Sequence, residues 1–362
     1  MKTSYEVAVM PGDGIGPEVT DAAVAVLDSA ARNHGVQLVR TTYEAGAEYY
    51  RRTGEAISEA VLVAAGEADA VLFGAMGLPD VRRPDGTETG PQVELRERYG
   101  LFASLRPTKL FAGVPTRLKA DKIDILVIRE TTEGLFAGRN DYREPSDESV
   151  SDRMTITRAT CEKLFDLAFA QARSRRHHQG TPGRVTLLDK ANALPSQAFM
   201  RKIFDEVALR HPDIENDRRY IDAGAMMFVT APESYDVVVS ENIFGDITSE
   251  IGAGIVGGLG VAPSADIGLR HGVFQPSHGT APELAGLAVA NPVAAILSAA
   301  MLLDWLAERH GDERCNGAAG AIRSAVEHVL ACGPKTRDIG GDAKTSEVTE
   351  ALLKQLNRVA MR

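Results

Sequence analysis

The chain has 362 residues, of which 44% are hydrophobic and 25% are charged, and its length is about 2.4 times that of a typical domain. These values exclude a single small module and a disordered or fibrous chain, and they predict a globular protein with a sizeable core. The net charge of −10 has the wrong sign for a protein that binds nucleic-acid phosphates, so no nucleic-acid partner is expected. A small anionic substrate would need a local basic cluster to overcome the overall negative field.

The three cysteines, Cys161, Cys315 and Cys332, are widely spaced and form no CxxC pair. A disulfide scaffold or a thiolate zinc site is therefore not expected, and a reducing, cytoplasmic location fits this usage. No run of about 18 apolar residues occurs, and the N-terminus enters a strand-like segment without the regions of an export signal. We expect no membrane partner.

Short apolar runs alternate with longer amphipathic stretches, which is typical of parallel strands joined by crossover helices in an α/β protein. Strands are predicted at 6–10, 70–73, 123–128, 185–188 and 236–240, and helices at 18–33, 58–65, 158–174, 197–209 and 292–308. No Pro/Gly/Ser-rich linker divides the chain into consecutive halves, so interleaved domains are expected. The glycine-rich stretch 252–260 is a candidate crossing point between them. The basic residues at 173–178 are interpreted as a solvated helix end.

The first predicted strand leads into PGDGIGPE at 11–18, which opens a helix. Its spacing lacks the last glycine of the G-x-G-x-x-G dinucleotide fingerprint, because Pro17 stands in that place. A Rossmann phosphate loop is therefore disfavoured.

Charged and polar side chains follow three of the predicted strands at the point where each strand ends. They are Arg129 and Glu130, Asp189 and Lys190, and Glu241, Asn242 and Asp246. Ligands of open α/β sheets bind beyond the carboxyl ends of the strands, so these groups are expected at one edge. Any one of them alone is more often a solvated loop charge.

Asp246 and Glu250 are four residues apart at the predicted start of a helix. Like charges at this spacing repel by about 0.2–0.5 kcal/mol, so the pair favours a nearby cation. Oxygen ligands indicate a hard divalent ion such as Mg²⁺ or Mn²⁺. The preference of acidic residues for helix starts is an equally good explanation.

Arg96, Arg106 and Arg129 form a second group. Arginine binds carboxylates through a two-pronged fork, so three of them in one pocket would hold a substrate with two or more carboxylates. From spacing alone, surface salt bridges remain the better explanation.

Seven ordered segments resemble the isocitrate and 3-isopropylmalate dehydrogenase family. They are PGDGIGPE at 11–18, ELRERYGLFASLRP at 94–107, LVIRETTEGLFAG at 126–138, LLDKANAL at 187–194, YIDAGAM at 220–226, SENIFGDITSEIGAGIVGGLG at 240–260, and HGTAPELAG with ANP at 278–286 and 290–292. The resemblance implies an isopropylmalate dehydrogenase-like α/β fold that is not Rossmann, and a homodimer whose active sites draw on both subunits. It implies an outer, cofactor-binding domain from 1–101 plus 258–362, and a middle domain from 102–257 that carries the dimer interface and an arm near 131–157.

The resemblance also assigns roles to the charged residues. Arg96, Arg106 and Arg129 match substrate-carboxylate ligands, Asp246 and Glu250 match metal ligands, and Lys190 and Asp222 match the base system and a metal ligand lent by the other subunit. The implied reaction oxidises a 2-hydroxy acid with NAD and Mg²⁺ or Mn²⁺. Lys190 accepts the hydroxyl proton, and the carboxylate β to the new carbonyl leaves as CO₂.

The cofactor residues implied by the resemblance lie mainly in the segment at 278–286. They are His278, Gly279, Thr280, Ala281 and Glu283, with Asn291 at the adenine and Ile15, Glu88, Thr89 and Asn192 toward the nicotinamide. An acidic residue at position 283 suits a ribose diol and repels a 2′-phosphate, which favours NAD over NADP.

Three positions leave the substrate and the reaction open. Phe136 stands where most relatives have a proton-donating tyrosine, so Tyr142 or a water would have to replace it, or decarboxylation is slow or absent. Glu250 stands where aspartate is usual, which favours Mn²⁺. Gln92, in the predicted loop before Arg96, favours a polar substituent, whereas Val93 leaves room for an alkyl one. Isopropylmalate, malate or tartrate, isocitrate and a specialised analogue remain possible substrates, and a non-catalytic regulatory paralogue is the alternative class.

Overall fold

The structure, a computed structural model, describes residues 2–84, 86–120, 122–137 and 148–360. The chain divides into two compact units. The first unit consists of Met1–Gly100, Leu110–Thr116 and Val256–Arg362, and the second of Leu101–Lys109 and Arg117–Ile255. Residues 138–147 of the predicted arm, Tyr142 among them, lie outside the described residues.

Strands and helices alternate through most of the chain. The strands are β1 (Tyr5–Gly12), β2 (Leu38–Thr42), β3 (Ala70–Ala75), β4 (Ala103–Lys109), β5 (Asp124–Glu130), β6 (Arg184–Asp189), β7 (Glu215–Tyr220), β8 (Val237–Ser240), β9 (Pro263–Ile267) and β10 (Gly272–Pro276). The helices are α1 (Gly16–Asn33), α2 (Ala47–Thr53), α3 (Glu59–Glu67), α4 (Pro91–Tyr99), α5 (Arg158–Gln179), α6 (Pro195–Ala208), α7 (Ile221–Thr230), α8 (Asn242–Ile255), α9 (Val293–His310), α10 (Glu313–Cys332) and α11 (Thr345–Ala360). All five predicted strands and all five predicted helices are confirmed, with ends that differ by a few residues.

The first unit contains a sheet in the order β2-β1-β3-β10-β9. β1, β2, β3 and β10 run parallel, and β9 is antiparallel to β10. Helix α9 contacts β9 and β10 and packs against α1 and α10. It is apolar around most of its circumference, as Leu302, Leu303 and Leu306 are all fully buried, which is the composition of a helix enclosed by other elements.

The second unit contains a sheet in the order β4-β5-β8-β6-β7. β5, β8, β6 and β7 run parallel, so their carboxyl ends lie along the same edge, and β4 is antiparallel to β5. Helices α5 and α6 pack together through Phe165, Phe169 and Phe204, which are fully buried, with ring centroids 5.1–5.6 Å apart around Phe204. Burial of side chains of this size contributes about 1.5–3 kcal/mol each.

One prediction about local structure is wrong, and another is confirmed except at one residue. The predicted loop before Arg96 is helix α4, which begins at Pro91, where the missing N–H group of proline costs no hydrogen bond. The basic residues at 173–178 lie in the last two turns of α5, and Arg176, His177 and His178 are exposed as predicted, whereas Arg175 is buried against Asp124 and Asp236. Among the helices of the described chain, none is both long and apolar enough to span a bilayer.

Candidate active site

Arg129 ends strand β5 at the carboxyl edge of the second-unit sheet. Its guanidinium forms an ion pair with Asp246, and its Nε and Nη2 donate to Asn242 Oδ1 at 3.0 and 2.8 Å. Only 6% of Arg129 is exposed, so its interactions are those of a buried group rather than of a surface salt bridge. Helix α8 follows the neighbouring strand β8, which is why Asn242 and Asp246 reach it.

Arg106 lies on β4, opposite Val127 of β5, and its Nη1 is 3.8 Å from Glu250 Oε1. Its Nε donates to Ser104 Oγ at 3.1 Å, and the residue is 8% exposed. Burial raises the pKa of Glu250, Arg106 lowers it, and Asp246 raises it again. The repulsion between the two carboxylates is thus balanced by two arginines.

Helix α8 begins at Asn242, so Asp246 and Glu250 lie one and two turns inside it and not at its start as predicted. The N-terminal dipole therefore acts less on them than expected, since its effect fades beyond the first turn. Their i,i+4 spacing still places both carboxylates on one face of the helix.

Lys190 follows β6, and its Nζ donates to Asp222 Oδ2 at 2.5 Å. Asp222 lies in the first turn of α7, directly after β7, the strand paired with β6. The hydrogen bond from Lys190 lowers the pKa of Asp222. Asn192 lies in the turn after Lys190 and is exposed. It belongs to the second unit, whereas the other predicted cofactor residues belong to the first.

Asp246 and Glu250 offer carboxylate oxygens, which suit a hard cation that completes its shell with water and substrate oxygens. Within the described part of the chain, no three acidic, histidine or cysteine side chains form a complete metal-binding group. The structure thus does not bring Asp222 to the other two acids within one chain. The donor chemistry of Asp246 and Glu250 fits Mg²⁺ or Mn²⁺ as part of a larger ligand set.

Phe136 is 44% exposed, and its ring centroid lies 5.5 Å from Arg129 Cζ. This is the geometry of a cation–π contact. The aromatic ring at the position of the expected tyrosine therefore lies beside Arg129, a predicted substrate-carboxylate ligand, without a hydroxyl group.

In the first unit, Arg96 lies one turn after Gln92 on α4. Arg96 Nε and Nη2 bind Asp266 Oδ2 at 2.9 and 2.8 Å, and Asp266 is fully buried. The i,i+4 spacing puts Gln92 and Arg96 on the same face of the helix. The fork of Arg96 is thus held in place by a carboxylate of its own unit.

The loop at 12–15 packs against the loop that contains Thr280. The N–H group of Ile15 donates to Thr280 O at 2.8 Å, and Thr280 Oγ1 donates to Gly77 O at 2.7 Å. A Cβ on Gly14, whose φ is +59°, would lie 2.1 Å from Thr280 O. Only glycine permits this approach, so the glycine motif serves loop packing here, and it brings Ile15 and Thr280 into contact.

Three predicted ligand residues of the first unit carry a buried polar atom with no hydrogen-bond partner among the described residues. The atoms are Thr89 Oγ1, Gln92 Oε1 and His278 Nε2. His278 Nδ1 lies 2.9 Å from Gly279 O, which fixes the neutral ring with Nε2 as acceptor, and burial lowers the pKa of His278. Buried polar groups normally have partners, so these atoms fit residues that bind a polar ligand such as a dinucleotide or a hydroxy acid.

The other predicted cofactor residues differ in their surroundings. Asn291 is buried, accepts from Val293 N at 3.1 Å and donates to Asp338 Oδ2 at 3.0 Å, so its amide also caps α9. Glu283 is exposed on a 3-10 turn that begins after Ala281, whose φ is +36°. Glu88 is exposed and pairs with Arg82 at 3.2 Å.

Sequence reasoning missed several residues that hold this arrangement. They are Ser104, Asp266 and Asp338, and Glu18, which accepts from Ala290 N at 3.1 Å and from Thr345. The partners of Asp266, Asp338 and Glu18 lie 47 or more residues away in sequence, so no local pattern reveals these contacts. Ser104 lies only two residues from Arg106, and its role depends on the burial of that arginine.

Comparison with known proteins agrees with this geometry. The family model described as isocitrate/isopropylmalate dehydrogenase matches residues 6–352. A 3-isopropylmalate/3-methylmalate dehydrogenase from Methanocaldococcus jannaschii is 41% identical over 354 residues, covering 97% of this chain and 99% of that protein. The 3-isopropylmalate dehydrogenase of Escherichia coli strain K12 is 36% identical over 365 residues, covering 97% of this chain and 96% of that protein.

Two solved structures are also similar. An isocitrate dehydrogenase from Methylococcus capsulatus has a TM-score of 0.85 at 33% identity, covering 97% of this chain and 99% of that one. An apo β-decarboxylating dehydrogenase from Thermococcus kodakarensis has a TM-score of 0.80 at 34% identity, covering 98% of this chain and 97% of that one. The protein is thus an oxidoreductase, a dehydrogenase acting on a CH–OH group. It belongs to the isocitrate/isopropylmalate dehydrogenase family and has that family's α/β fold, as its motifs predict.

Proposed function

We propose that this chain is an NAD-dependent and divalent-metal-dependent dehydrogenase that oxidises a 2-hydroxy dicarboxylic acid of the 3-alkylmalate type and decarboxylates the product. The observation that carries the proposal is the set of groups at the carboxyl edge of the second-unit sheet. Arg129 is paired there with Asp246, Arg106 with Glu250, and Lys190 with Asp222. Side chains suited to anion binding, cation binding and proton transfer thus all lie on or beside one sheet of the chain.

Arg106 and Arg129 would bind the carboxylates of the substrate. Both are buried and held by neutral partners, Ser104 and Asn242, as well as by the acids of α8. A buried guanidinium forms stronger and more directional bonds to a carboxylate than a solvated one. These two arginines would therefore supply the local positive field that a chain of net charge −10 needs. Arg96, fixed by Asp266, is proposed as a third carboxylate ligand.

Asp246 and Glu250 would hold the divalent cation, together with Asp222. When bound, such an ion lowers the pKa of the substrate hydroxyl group and stabilises the negative charge that decarboxylation leaves. Lys190 would take the hydroxyl proton, and the hydrogen bond to Asp222 fixes the direction of its amine.

A second copy of the chain is the proposed source of Lys190 and Asp222 for each site. Helices α7 and α8 pack together and expose Met226, Val229 and Ile247 by 59%, 48% and 53%. Exposed apolar side chains on adjoining helices favour burial against a partner, and a two-fold dimer would cover them in both copies. Asp222 lies one turn before Met226 on α7, at the margin of this face. Residues 131–157 are proposed as an arm to the same partner.

Complementation between inactive variants tests the shared site. Lys190→Met and Arg129→Met homodimers should both be inactive. Mixed dimers formed by refolding the two together should regain activity, because each contains one site with both residues intact. Mixed dimers that stay inactive would indicate that Lys190 and Arg129 serve the same chain.

The cofactor is proposed to be NAD, bound by the first unit through the segment at 278–286 and the loop around Ile15. The unpartnered Nε2 of His278 and Oγ1 of Thr89 would accept or donate hydrogen bonds to it. The exposed carboxylate of Glu283 suits a ribose diol and would repel a 2′-phosphate. NAD accepts the hydride from the substrate carbon.

The substituent of the substrate is proposed to contact the first turn of α4. Val93 suits an alkyl group, and the 41% identity to a 3-isopropylmalate/3-methylmalate dehydrogenase agrees with a 3-alkylmalate. The unpartnered Oε1 of Gln92 favours a polar substituent, so malate or tartrate is the second candidate. An isocitrate-type or specialised substrate is the third, since an isocitrate dehydrogenase is among the structural neighbours.

Initial rates of NADH formation with 3-isopropylmalate, 3-methylmalate, malate, tartrate and isocitrate, each with Mg²⁺ or Mn²⁺, test the proposal. The highest kcat/KM is expected with a 3-alkylmalate, with NAD preferred over NADP, and Lys190→Met serves as the inactive control. Turnover of none of these acids would favour the regulatory alternative. A preference for malate or tartrate would indicate that Gln92, and not Val93, contacts the substituent of the substrate.

A further inference from the structure

The side chain of Arg201 joins the two strand ends that carry Lys190 and Asp222. Arg201 lies on α6, and its Nε and Nη2 each lie 2.7 Å from one carboxylate oxygen of Asp189, the last residue of β6. Its Cζ lies 4.9 Å from the ring centroid of Tyr220, the last residue of β7. Asp189 and Tyr220 are register partners in the sheet. One guanidinium thus contacts the ends of both strands.

Asp189 fixes the backbone on both sides of Lys190. Its carboxylate is fully buried and also accepts the N–H group of Ala191 at 2.9 Å. Because Lys190 lies between Asp189 and Ala191, this one hydrogen bond closes a turn around its Cα. A buried carboxylate requires a cation with good geometry, and the two-pronged fork of Arg201 provides it while fixing the plane of the carboxylate.

Tyr220 connects the same guanidinium to Asp222. It precedes Asp222 by two residues, at the junction of β7 and α7. The stacking of Arg201 on the ring couples the start of α7 to the end of β6. The 2.5 Å bond between Lys190 Nζ and Asp222 Oδ2 depends on the relative position of these two ends.

We propose that Arg201 is a positioning residue for the Lys190–Asp222 pair. The proposal rests on the proposed function, in which this pair moves the substrate's hydroxyl proton. Among the described residues, Arg201 forms no hydrogen bond or ion pair with Lys190 Nζ or with the Asp222 carboxylate, and it acts through Asp189 and Tyr220.

The test compares Arg201→Lys with a control at the opposite end of the same sheet, an arginine whose carboxylate partner is as buried as Asp189. Arg175 donates to the buried Asp236 at 2.8 Å, and Asp236 directly precedes β8, at its amino end. Asp236 also accepts a backbone N–H group, from Gly183 at 2.8 Å, as Asp189 does from Ala191. Arg175→Lys therefore removes a guanidinium bond to an equally buried carboxylate, far along the strands from their carboxyl ends; the side chain of Arg175 is 9% exposed and that of Arg201 is 26% exposed. Lysine keeps the charge in both variants, so neither carboxylate is left without a cation.

We expect kcat to fall about 10- to 100-fold in Arg201→Lys, the range for a slightly misplaced catalytic group, with KM for the hydroxy acid and NAD within about 3-fold of wild type. In Arg175→Lys we expect kcat within about 2-fold of wild type. The loss of thermal stability should be similar to that in Arg201→Lys. If Arg201 only stabilised the fold, kcat would fall by the same factor in Arg201→Lys and in Arg175→Lys.

A second measurement does not depend on turnover. Acetylation of Lys190 by a water-soluble ester, followed by peptide mass spectrometry and referenced to the exposed Lys354, reports how firmly the amine is held. Lys190 should be labelled about 2- to 10-fold faster in Arg201→Lys, the range for loss of one hydrogen bond, and at the wild-type rate in Arg175→Lys.

The outcomes separate the two proposals. Unchanged labelling in Arg201→Lys overturns the positioning role even if kcat falls, because the loss would then not pass through Lys190. Equal losses of kcat in the two variants also overturn it. Faster labelling in a protein that oxidises none of the hydroxy acids would support the positioning of Lys190 and contradict the proposed function.

Discussion

Glu250 Oε1 lies 3.8 Å from Arg106 Nη1, so the glutamate reaches from α8 to the arginine on β4. Its side chain is one methylene longer than the aspartate usual in the family. The carboxylate can therefore reach farther from the axis of α8 than that of Asp246. A divalent ion bound by both acids would have to accommodate two side chains of different length.

We predict that the enzyme prefers Mn²⁺ to Mg²⁺ and that Glu250→Asp shifts the preference toward Mg²⁺. Mg²⁺ requires nearly ideal octahedral geometry, whereas Mn²⁺ tolerates more variation. The ratio of apparent affinities for the two ions should change by about 10-fold, as measured by calorimetry and by metal titration of the rate. EDTA should abolish activity in both proteins. The same ratio in wild type and variant would show that the extra methylene does not affect the ion.

Arg129→Lys tests the assignment of the substrate-carboxylate ligands. The guanidinium of Arg129 uses separate N–H groups for Asn242 and Asp246, and a lysine amine cannot reproduce this planar arrangement. We expect kcat/KM for the hydroxy acid to fall about 10- to 150-fold, which corresponds to one charge-assisted hydrogen bond of about 1.5–3 kcal/mol. The dissociation constant of NAD should change little.

Arg173→Lys is the control for this change. Arg173 also forms a two-pronged pair, with Asp213 at 2.7 and 2.8 Å, but both side chains are 43% exposed. Exposed ion pairs contribute little, so kinetics and stability should both stay close to wild type. A similar loss of kcat/KM in both variants would contradict the role of Arg129.

Phe136 provides a test of the decarboxylation step. Its ring lies beside Arg129 but has no hydroxyl group that could donate a proton. We therefore predict that CO₂ release is slower than NADH formation in the wild type. The 2-keto acid that still carries the β-carboxylate should then accumulate. Phe136→Tyr should raise the rate of CO₂ release relative to NADH formation by about 10-fold or more, within the range for general-acid catalysis. Phe136→Leu removes the ring without adding a hydroxyl group and should give no such gain. Equal rates of NADH and CO₂ in the wild type would mean that another group donates the proton.

The strand ends that carry this chemistry are predictable because buried parallel strands are short apolar runs that stop where polar residues begin. Val185–Leu188 and the following Asp189 and Lys190 are typical, and the structure confirms the boundary. The partners of the charged residues are not predictable in this way. Asp266 lies 170 residues from Arg96, and Asp338 lies 47 residues from Asn291, so only the tertiary fold brings them together.

Strand β4 and helix α4 illustrate a second limit. Both are short and rich in polar residues, and their local patterns indicate loops. β4 carries Arg106 and Thr108 within the sheet because α8 packs closely against it. A Cβ on Gly252 would lie 2.5 Å from Thr108 Oγ1. The polar residues of β4 are thus accommodated by a small residue on a neighbouring helix, which no pattern within β4 reveals.

Glu241 provides a prediction for the pH dependence of stability. The side chain is 2% exposed, Oε1 accepts from Phe244 N at 2.8 Å, and Oε2 has no partner among the described residues. Burial raises the pKa of Glu241, and the backbone N–H group of Phe244 lowers it in part. The folded protein therefore holds this proton at pH values where the unfolded chain has released it. Stability from this group is complete below the pKa of the unfolded glutamate and decreases as the pH rises through the folded value.

Glu241→Gln should therefore raise the melting temperature, and the gain should be larger at pH 7–8 than at pH 4. Each kcal/mol corresponds to about 2–4 °C in domains of 150–250 residues and to less in a chain of 362 residues. Melting curves recorded by circular dichroism between pH 4 and pH 8 measure the difference. Glu162→Gln, on the exposed face of α5, is the control and should show no comparable pH-dependent gain. A gain that is equal at both ends of the range would contradict a raised pKa.

Glu283→Arg tests the choice of cofactor. The carboxylate of Glu283 is exposed on its 3-10 turn, which follows the left-handed residue Ala281. An arginine there would remove the repulsion of a 2′-phosphate and form charge-assisted bonds to it. We expect kcat/KM for NAD to fall and that for NADP to rise, changing their ratio by about 100-fold or more, since attraction replaces repulsion. Glu283→Gln, which removes only the repulsion, should give an intermediate ratio. If neither variant changes the ratio, Glu283 does not face the ribose, and the basis for assigning NAD to this chain is removed.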